Sequence, residues 1–228
     1  MSTLLASLVA GAVFGLALAA PPGPMNAVIA EESVLRGWIA GFLAGLGAMT
    51  ADVCFFLLAL FGAVAVVERV PTLQGVMVGA GGLLMLYFAY GAAVEARETD
   101  TFTPEDGGGR KGFTKALVLA LTNPYQIVFW LTVGVGILEP GQLDVLARTP
   151  YVGDSLGGLL VVETGSPALL VGFFGGIVLW IAGFPAALVS AGRRIDRFAP
   201  AVAALSATLL AGFGVLFLAD AYGTLVGG

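Results

Sequence analysis

The chain has 228 residues, 58% of them hydrophobic and only 11% charged, with a net charge of −5 and a mean hydropathy of +0.98. A soluble domain carries roughly a quarter charged residues, so this chain cannot clothe its surface for water, and it has no patch basic enough for nucleic acid. It has no histidine and one cysteine, Cys54, which excludes Ser-His triads, histidine metal or haem sites and an internal disulfide, and no cofactor is expected.

The apolar runs are long and continuous rather than short and alternating. In lipid, where backbone groups must pair within the segment or a closed barrel, that pattern favours helices. The fold class expected is all-α: a polytopic membrane protein of six transmembrane helices. The first run, from Leu4 to Ala20, ends in Ala17-Leu18-Ala19, which mimics a signal cleavage site. No Lys or Arg precedes it and more spans follow, so it reads as a retained helix.

Helix one is placed at about Thr3–Ala30, interrupted by Pro21-Pro22-Gly23-Pro24, with Glu31, Glu32 and Arg36 in a short solvated loop. Helix two runs from about Gly37 to Val67 and is closed by Glu68-Arg69 before Pro71. Helix three runs from about Leu73 to Val94, and residues 95–112 form a polar linker holding Gly107-Gly108-Gly109. Helix four is placed at about Phe113–Leu138, broken at Asn123-Pro124, and a segment of mixed polarity covers 139–166. Helix five spans about Pro167–Gly192, and a basic turn at 193–197 leads to helix six at about Phe198–Tyr222. A span needs about 20 apolar residues, and each of these is long enough.

Basic loop residues set orientation. Arg36, Arg97, Arg110, Lys111, Lys115, Arg193, Arg194 and Arg197 gather on one side, against Arg69 and Arg148 on the other. The first side is therefore expected to be cytoplasmic, with both termini and the 139–166 segment external, in the cell membrane. The chain divides into a first three-helix repeat at 1–94, the linker at 95–112 and a second repeat at 113–228. Three is odd, so the repeats would be inverted. Each repeat opens on a broken helix, and paired interrupted helices at matching places are the best sequence pointer to a transport site.

Proline removes a backbone donor and clashes with the carbonyl four residues back. At Pro22, Gly23 and Pro24, and again at Pro124, the chain can therefore offer backbone groups to a ligand, and the half-helix after each break presents N–H groups and a positive dipole end. Asn26 and Asn123 add one amide each, donor and acceptor together. Such a set suits a zwitterion; the blander reading has both asparagines merely capping the broken ends. Asp52 lies near the middle of helix two, where a carboxylate costs roughly 2.5–3.5 kcal/mol on insertion scales. No basic residue lies deep in a predicted span, so Asp52 is expected to be hydrated, protonated or bound to a cationic ligand, or else hydrogen-bonded to neighbouring backbone. Gly41, Gly45, Ala48 and Asp52 fall on one helical face, which points Asp52 into the bundle. Asp52 is thus the candidate for proton coupling as well as for substrate. Gly11 with Gly15, Gly75 with Gly79 and Gly172 with Gly176 read as packing seams. Trp130 is core or lipid-facing by default, or with Tyr125 walls a cavity after the second break.

Pro22-Gly23-Pro24-Met25-Asn26, Arg36-Gly37, Gly41, Gly45 and Asp52, then Thr122-Asn123-Pro124 with Phe129-Trp130, resemble the repeat motifs of the LysE/RhtB-type amino-acid exporter family. The resemblance covers all six spans in order. It implies a small bundle exporting amino acids or related metabolites, with proton or cation coupling, and places Tyr125 in the substrate site where many relatives carry a basic residue. Partners expected are a small-molecule substrate and the lipid bilayer, with a homo-oligomer left open. A divalent-cation exporter of the same architecture fits less well, because one Asp, two Asn and no His make a thin ligand set. An intramembrane enzyme lacks a second central aspartate or a histidine, and a scaffold has no use for a buried carboxylate.

Overall fold

The computed structural model describes residues 3–61, 71–98, 109–123, 126, 129–130, 140–144, 161–194 and 198–226. In chain order the helices are α1 (Thr3–Ala19), α2 (Pro24–Arg36), α3 (Trp38–Leu60), α4 (Pro71–Glu98), α5 (Gly109–Leu121), α6 (Pro167–Gly192) and α7 (Phe198–Val226). Strands β1 (Gly141–Asp144) and β2 (Val161–Thr164) pair antiparallel, Gly141 opposite Thr164 and Asp144 opposite Val161.

Among the described residues the architecture is all-α apart from that ladder, which lies in the 139–166 segment and was not foreseen. Among the described residues, α3, α6 and α7 are long and apolar enough to cross a membrane, and α1 and α2 taken as a pair have the length and composition of a broken span or a re-entrant loop. A shorter apolar stretch, Val78–Val94, lies within α4. Leu57, Leu83, Leu179 and Leu216 are exposed on the helix surfaces, as contact with lipid requires.

Several boundaries differ from the sequence reading. Glu31 and Glu32 are not in a solvated loop. They belong to α2, which runs on to Arg36, and both are buried. Helix-forming Glu95, Arg97 and Glu98 extend α4 beyond Val94, and α5 starts at Gly109, so both helices take in residues read as linker. α5 stops at Leu121, and Asn123 is not helical. The predicted end of helix two at Val67 lies outside the described residues.

The chain forms two compact units: Met1–Ala20 with Leu131–Trp180, and Pro21–Trp130 with Ile181–Gly228. In the first unit α1 packs backbone to backbone against the start of α6. A Cβ on Gly11 would strike the Leu169 carbonyl, and one on Gly176 the Ala12 carbonyl. Gly15 and Gly172 are blocked likewise by the carbonyls of Phe173 and Leu8. Ser7 Oγ accepts a hydrogen bond from the Glu163 N–H at 3.2 Å, tying β2 to α1. Ser166 caps α6: its Oγ accepts from the Leu169 N–H at 3.3 Å, with Pro167 following at a position that needs no donor.

In the second unit α2 is only 13 residues long, about 20 Å at 1.5 Å per residue, and cannot cross the bilayer alone. It is buried almost all round. Val34 and Leu35 pack on Ala199 and Ala203 of α7, flanked by Leu188 and Phe198. Gly37 separates α2 from α3 with φ 91, a left-handed conformation that glycine alone adopts readily. Its N–H closes α2 on the Ser33 carbonyl at 3.0 Å. The turn brings α3 so close to α2 that a Cβ on Gly41 would meet the Ser33 hydroxyl. α3 is equally tight against α5, since a Cβ on Gly47 would meet the Phe113 carbonyl.

Candidate functional site in the second unit

The first break is built by residues 20–23. Gly23 is extended and Pro24 takes the first helical position of α2, where its missing N–H is no loss. Asn26 Nδ2 donates to the Pro21 carbonyl at 2.8 Å, so this amide does bind the broken end of the chain. Pro22 and Gly23 lie in the non-helical link between α1 and α2.

At the second break Thr122 Oγ1 donates to the Val118 carbonyl at 2.9 Å, closing the last turn of α5. The Asn123 N–H reaches the Ala120 carbonyl at 3.2 Å, and its own carbonyl accepts from the Gln126 N–H at 3.2 Å. The chain thus turns at Asn123 and carries Gln126 and Trp130 inward. Pro124 and Tyr125 lie outside the described residues.

Asp52 of α3 meets the segment that follows the second break. It is 6% exposed. Its Oδ1 accepts a hydrogen bond from Gln126 Nε2 at 2.6 Å and another from Trp130 Nε1 at 3.1 Å. The partners are neutral side chains, an outcome absent from the sequence reading, which weighed water, protons, cationic ligands and backbone. Trp130 is 1% exposed, so it is core rather than lipid-facing, and Phe56 meets it edge-on at 5.8 Å between ring centres. The glycine face of α3 does point inward: Gly45 abuts Ile181, and Gly41 abuts Ser33 and Pro185.

Gln126 is the residue that sequence reasoning missed. One signal was available. It is the first amide side chain after the Asn123 break and lies four residues before Trp130, on the same helical face.

A second polar cluster lies on α2 and α5. Lys115 Nζ donates to both carboxylate oxygens of Glu31, at 2.8 and 2.9 Å, and stands 5.2 Å from the centre of the Phe88 ring. Glu32 pairs with Arg36 one turn on, at 3.1 Å. Among the described residues, no three of the His, Cys, Asp and Glu side chains gather as metal ligands would.

A multi-pass apolar chain with a buried carboxylate set against a broken helix has the make-up of a membrane translocator rather than of an enzyme. The chain belongs to the LysE type translocator family, which matches residues 16–221. A provisionally named amino acid efflux protein of Bacillus subtilis strain 168 is 31% identical over 128 residues, 55% of this chain and 61% of that protein. A leucine efflux protein of Salmonella typhimurium is 29% identical over 133 residues, 57% of this chain and 60% of that protein. The alignments thus span about 60% of the length of these two efflux relatives. An uncharacterized membrane protein of Pseudomonas aeruginosa is 27% identical over 225 residues, 91% of each chain. No solved structure matches the chain.

Proposed function

We propose that the protein is a secondary transporter that exports an amino acid or a related small metabolite, driven by a proton or cation gradient. The observation that carries this reading is the Asp52 carboxylate, buried in α3 and held by Gln126 and Trp130 just beyond the Asn123 break. A carboxylate at such a depth is expensive and is kept where it meets protons or a cationic ligand. The amino acid and leucine efflux proteins among the relatives supply the substrate class. The substrate would lie between Asp52 and the two breaks, touching Pro22, Gly23, Pro24 and Asn26 on one side and Asn123, Pro124 and Tyr125 on the other. The six spans would form two inverted repeats, 1–94 and 113–228, joined by a cytoplasmic linker at 95–112.

The test is reconstitution. Vesicles holding the purified protein are loaded with a radiolabelled mixture of the common amino acids, and a proton or sodium gradient is imposed. One or a few amino acids should leave several-fold faster than from protein-free vesicles, and an ionophore should abolish the difference. Equal loss from both kinds of vesicle, for every amino acid and either gradient, would refute the reading.

A further inference from the structure

Below the Asp52 site, the unit holds a buried ion pair that the transport reading does not use. Glu31 lies on α2, the half-helix after the first break, and Lys115 lies on α5, the half-helix before the second. The carboxylate side chain is 3% exposed and the ammonium side chain 12%. Along α5, Lys115 stands eight residues before Asn123, about 12 Å at 1.5 Å per residue. Along α3, Asp52 stands fifteen residues beyond the Gly37 turn, about 22 Å, while Glu31 is six residues before that turn, about 9 Å. The ion pair therefore occupies a lower storey than Asp52, on the side of the Gly37 turn and the start of α5.

We propose that Glu31 and Lys115 form an inner latch, a reversible ion pair that closes the Asp52 site toward the Gly37 side and parts when the site opens there. The latch rests on the transport reading for its purpose, though not for its geometry. Three observations point to it. The pair joins residues 84 positions apart, one on each side of the proposed repeat boundary, and relative movement of such repeats is how a fixed central site gains alternating access. A buried ion pair also makes a poor simple strut. Desolvation consumes most of its attraction, and an apolar pair of like volume usually holds helices as well. Finally, the surroundings are built to receive charge in more than one arrangement. Gly112, three residues before Lys115 on the same face, has no Cβ, and the Glu32 carboxyl lies in that space, 2.8–3.0 Å from where a Cβ would stand. Lys115 thus has a second carboxylate one turn away, itself paired with Arg36. Among the described contacts the charges that meet here are Glu31, Glu32, Arg36 and Lys115, two of each sign, while Arg110 and Lys111 on the preceding turn of α5 are exposed.

The experiment places a reporter cysteine beside the second break, Thr122→Cys in a Cys54→Ala background. Its labelling by a membrane-impermeant maleimide is timed in vesicles, with the reagent on the Gly37 side. Glu31→Gln and Lys115→Met should each raise the labelling rate by about tenfold or more, while the exchanged pair Glu31→Lys with Lys115→Glu returns it toward the parental value. Rates within about twofold of the parent in folded variants would overturn the latch. Should the neutral variants fail to fold, Glu31→Ala and Lys115→Gln, which also break the ion pair, are read by the same criterion. Loss of folding in all four single variants would make the pair a strut and overturn the latch too. Amino-acid efflux is followed in parallel. A parental protein that exports nothing refutes the transport reading, whereas normal efflux with unchanged labelling in the variants refutes the latch alone.

Discussion

The carboxylate of Asp52 and the side-chain amide of Gln126, 74 residues apart in the chain, meet at 2.6 Å in the buried centre of the second unit. The amide arrives there because α5 ends at Leu121 and the chain turns at Asn123. Oδ1 of Asp52 also accepts from Trp130, so one oxygen is committed to two donors.

Gln126→Leu should therefore disturb the site without unmaking the helix that bears it. Losing a hydrogen bond to a buried polar group costs about 1–3 kcal/mol. The variant is expected to unfold at a lower temperature in detergent and to export more slowly, while Gln126→Asn, with the same amide on a shorter stem, is intermediate. Unchanged melting and unchanged efflux in Gln126→Leu would show that the contact matters to neither stability nor transport.

The glycine seams give a packing test. In the first unit, a Cβ on Gly15 or Gly176 would occupy the place of a backbone carbonyl on the facing helix. In the second, Gly47 stands in the same relation to Phe113. Backbone cannot step aside as a side-chain tip can, so Gly15→Leu, Gly176→Leu and Gly47→Leu should each lose more than about 2 kcal/mol by overpacking, read as loss of monodisperse protein after extraction. Gly183→Ala, at a position with nothing within 4 Å of the added atom, is the control and should express normally.

How much of this was legible beforehand depended on range. Single-helix signals were clear. The start of α6 at Pro167, the start of α3 next to Gly37, the inward face of Gly41 and Gly45 and the small-residue seams of Gly11 with Gly15 and of Gly172 with Gly176 all follow from short-range pattern. Glu31 and Glu32 were misread because two adjacent carboxylates look like loop residues; their burial depends on Lys115 and Gly112, some eighty residues away, which no local window shows. Gln126 and Trp130 were missed as partners of Asp52 for the same reason. A hydrogen bond between distant segments leaves no periodic trace. The β1–β2 ladder was missed because four-residue strands within mixed polarity carry almost no alternation.

The basic residues predict an orientation. If Arg110 and Arg193 lie on the cytoplasmic side and both termini outside, single cysteines at these positions in a Cys54→Ala background should label only after the membrane is opened, and a cysteine at position 2 should label in intact cells. The reverse pattern would invert the topology and with it the direction of the proposed latch.

The first break should survive the loss of Pro24. That proline is the first residue of α2, a position where its fixed φ suits a helix, and the interruption lies in residues 20–23. Pro24→Ala is thus expected to keep the break and to lower efflux only in part, through the substrate contact proposed for this residue. Pro21→Ala with Pro22→Ala removes the residues that keep the link out of helix, and should let α1 grow toward α2 and abolish export. Efflux from matched vesicles decides. A dead Pro24→Ala protein beside an active double variant would move the functional break into α2 itself.

Asp52→Asn separates charge from shape. Gln126 and Trp130 both donate to a single oxygen of Asp52, and an asparagine in the same place retains one carbonyl oxygen able to accept both. The helix face and the volume are unchanged, so insertion and folding should match the parent. What is lost is the ability to carry a negative charge and to take up and release a proton. If Asp52 couples export to the gradient or meets a substrate ammonium, efflux should fall by about tenfold or more, equivalent to at least about 1.4 kcal/mol on the transport barrier. Asp52→Glu keeps the charge and adds one methylene, so it should retain part of the activity at the expense of the 2.6 Å contact. The measurement is efflux from loaded vesicles at matched protein density, with and without an imposed proton gradient. Parental rates in Asp52→Asn, with the same response to the gradient, would make Asp52 a structural acceptor for Gln126 and Trp130 and leave the transport site to the two broken helices.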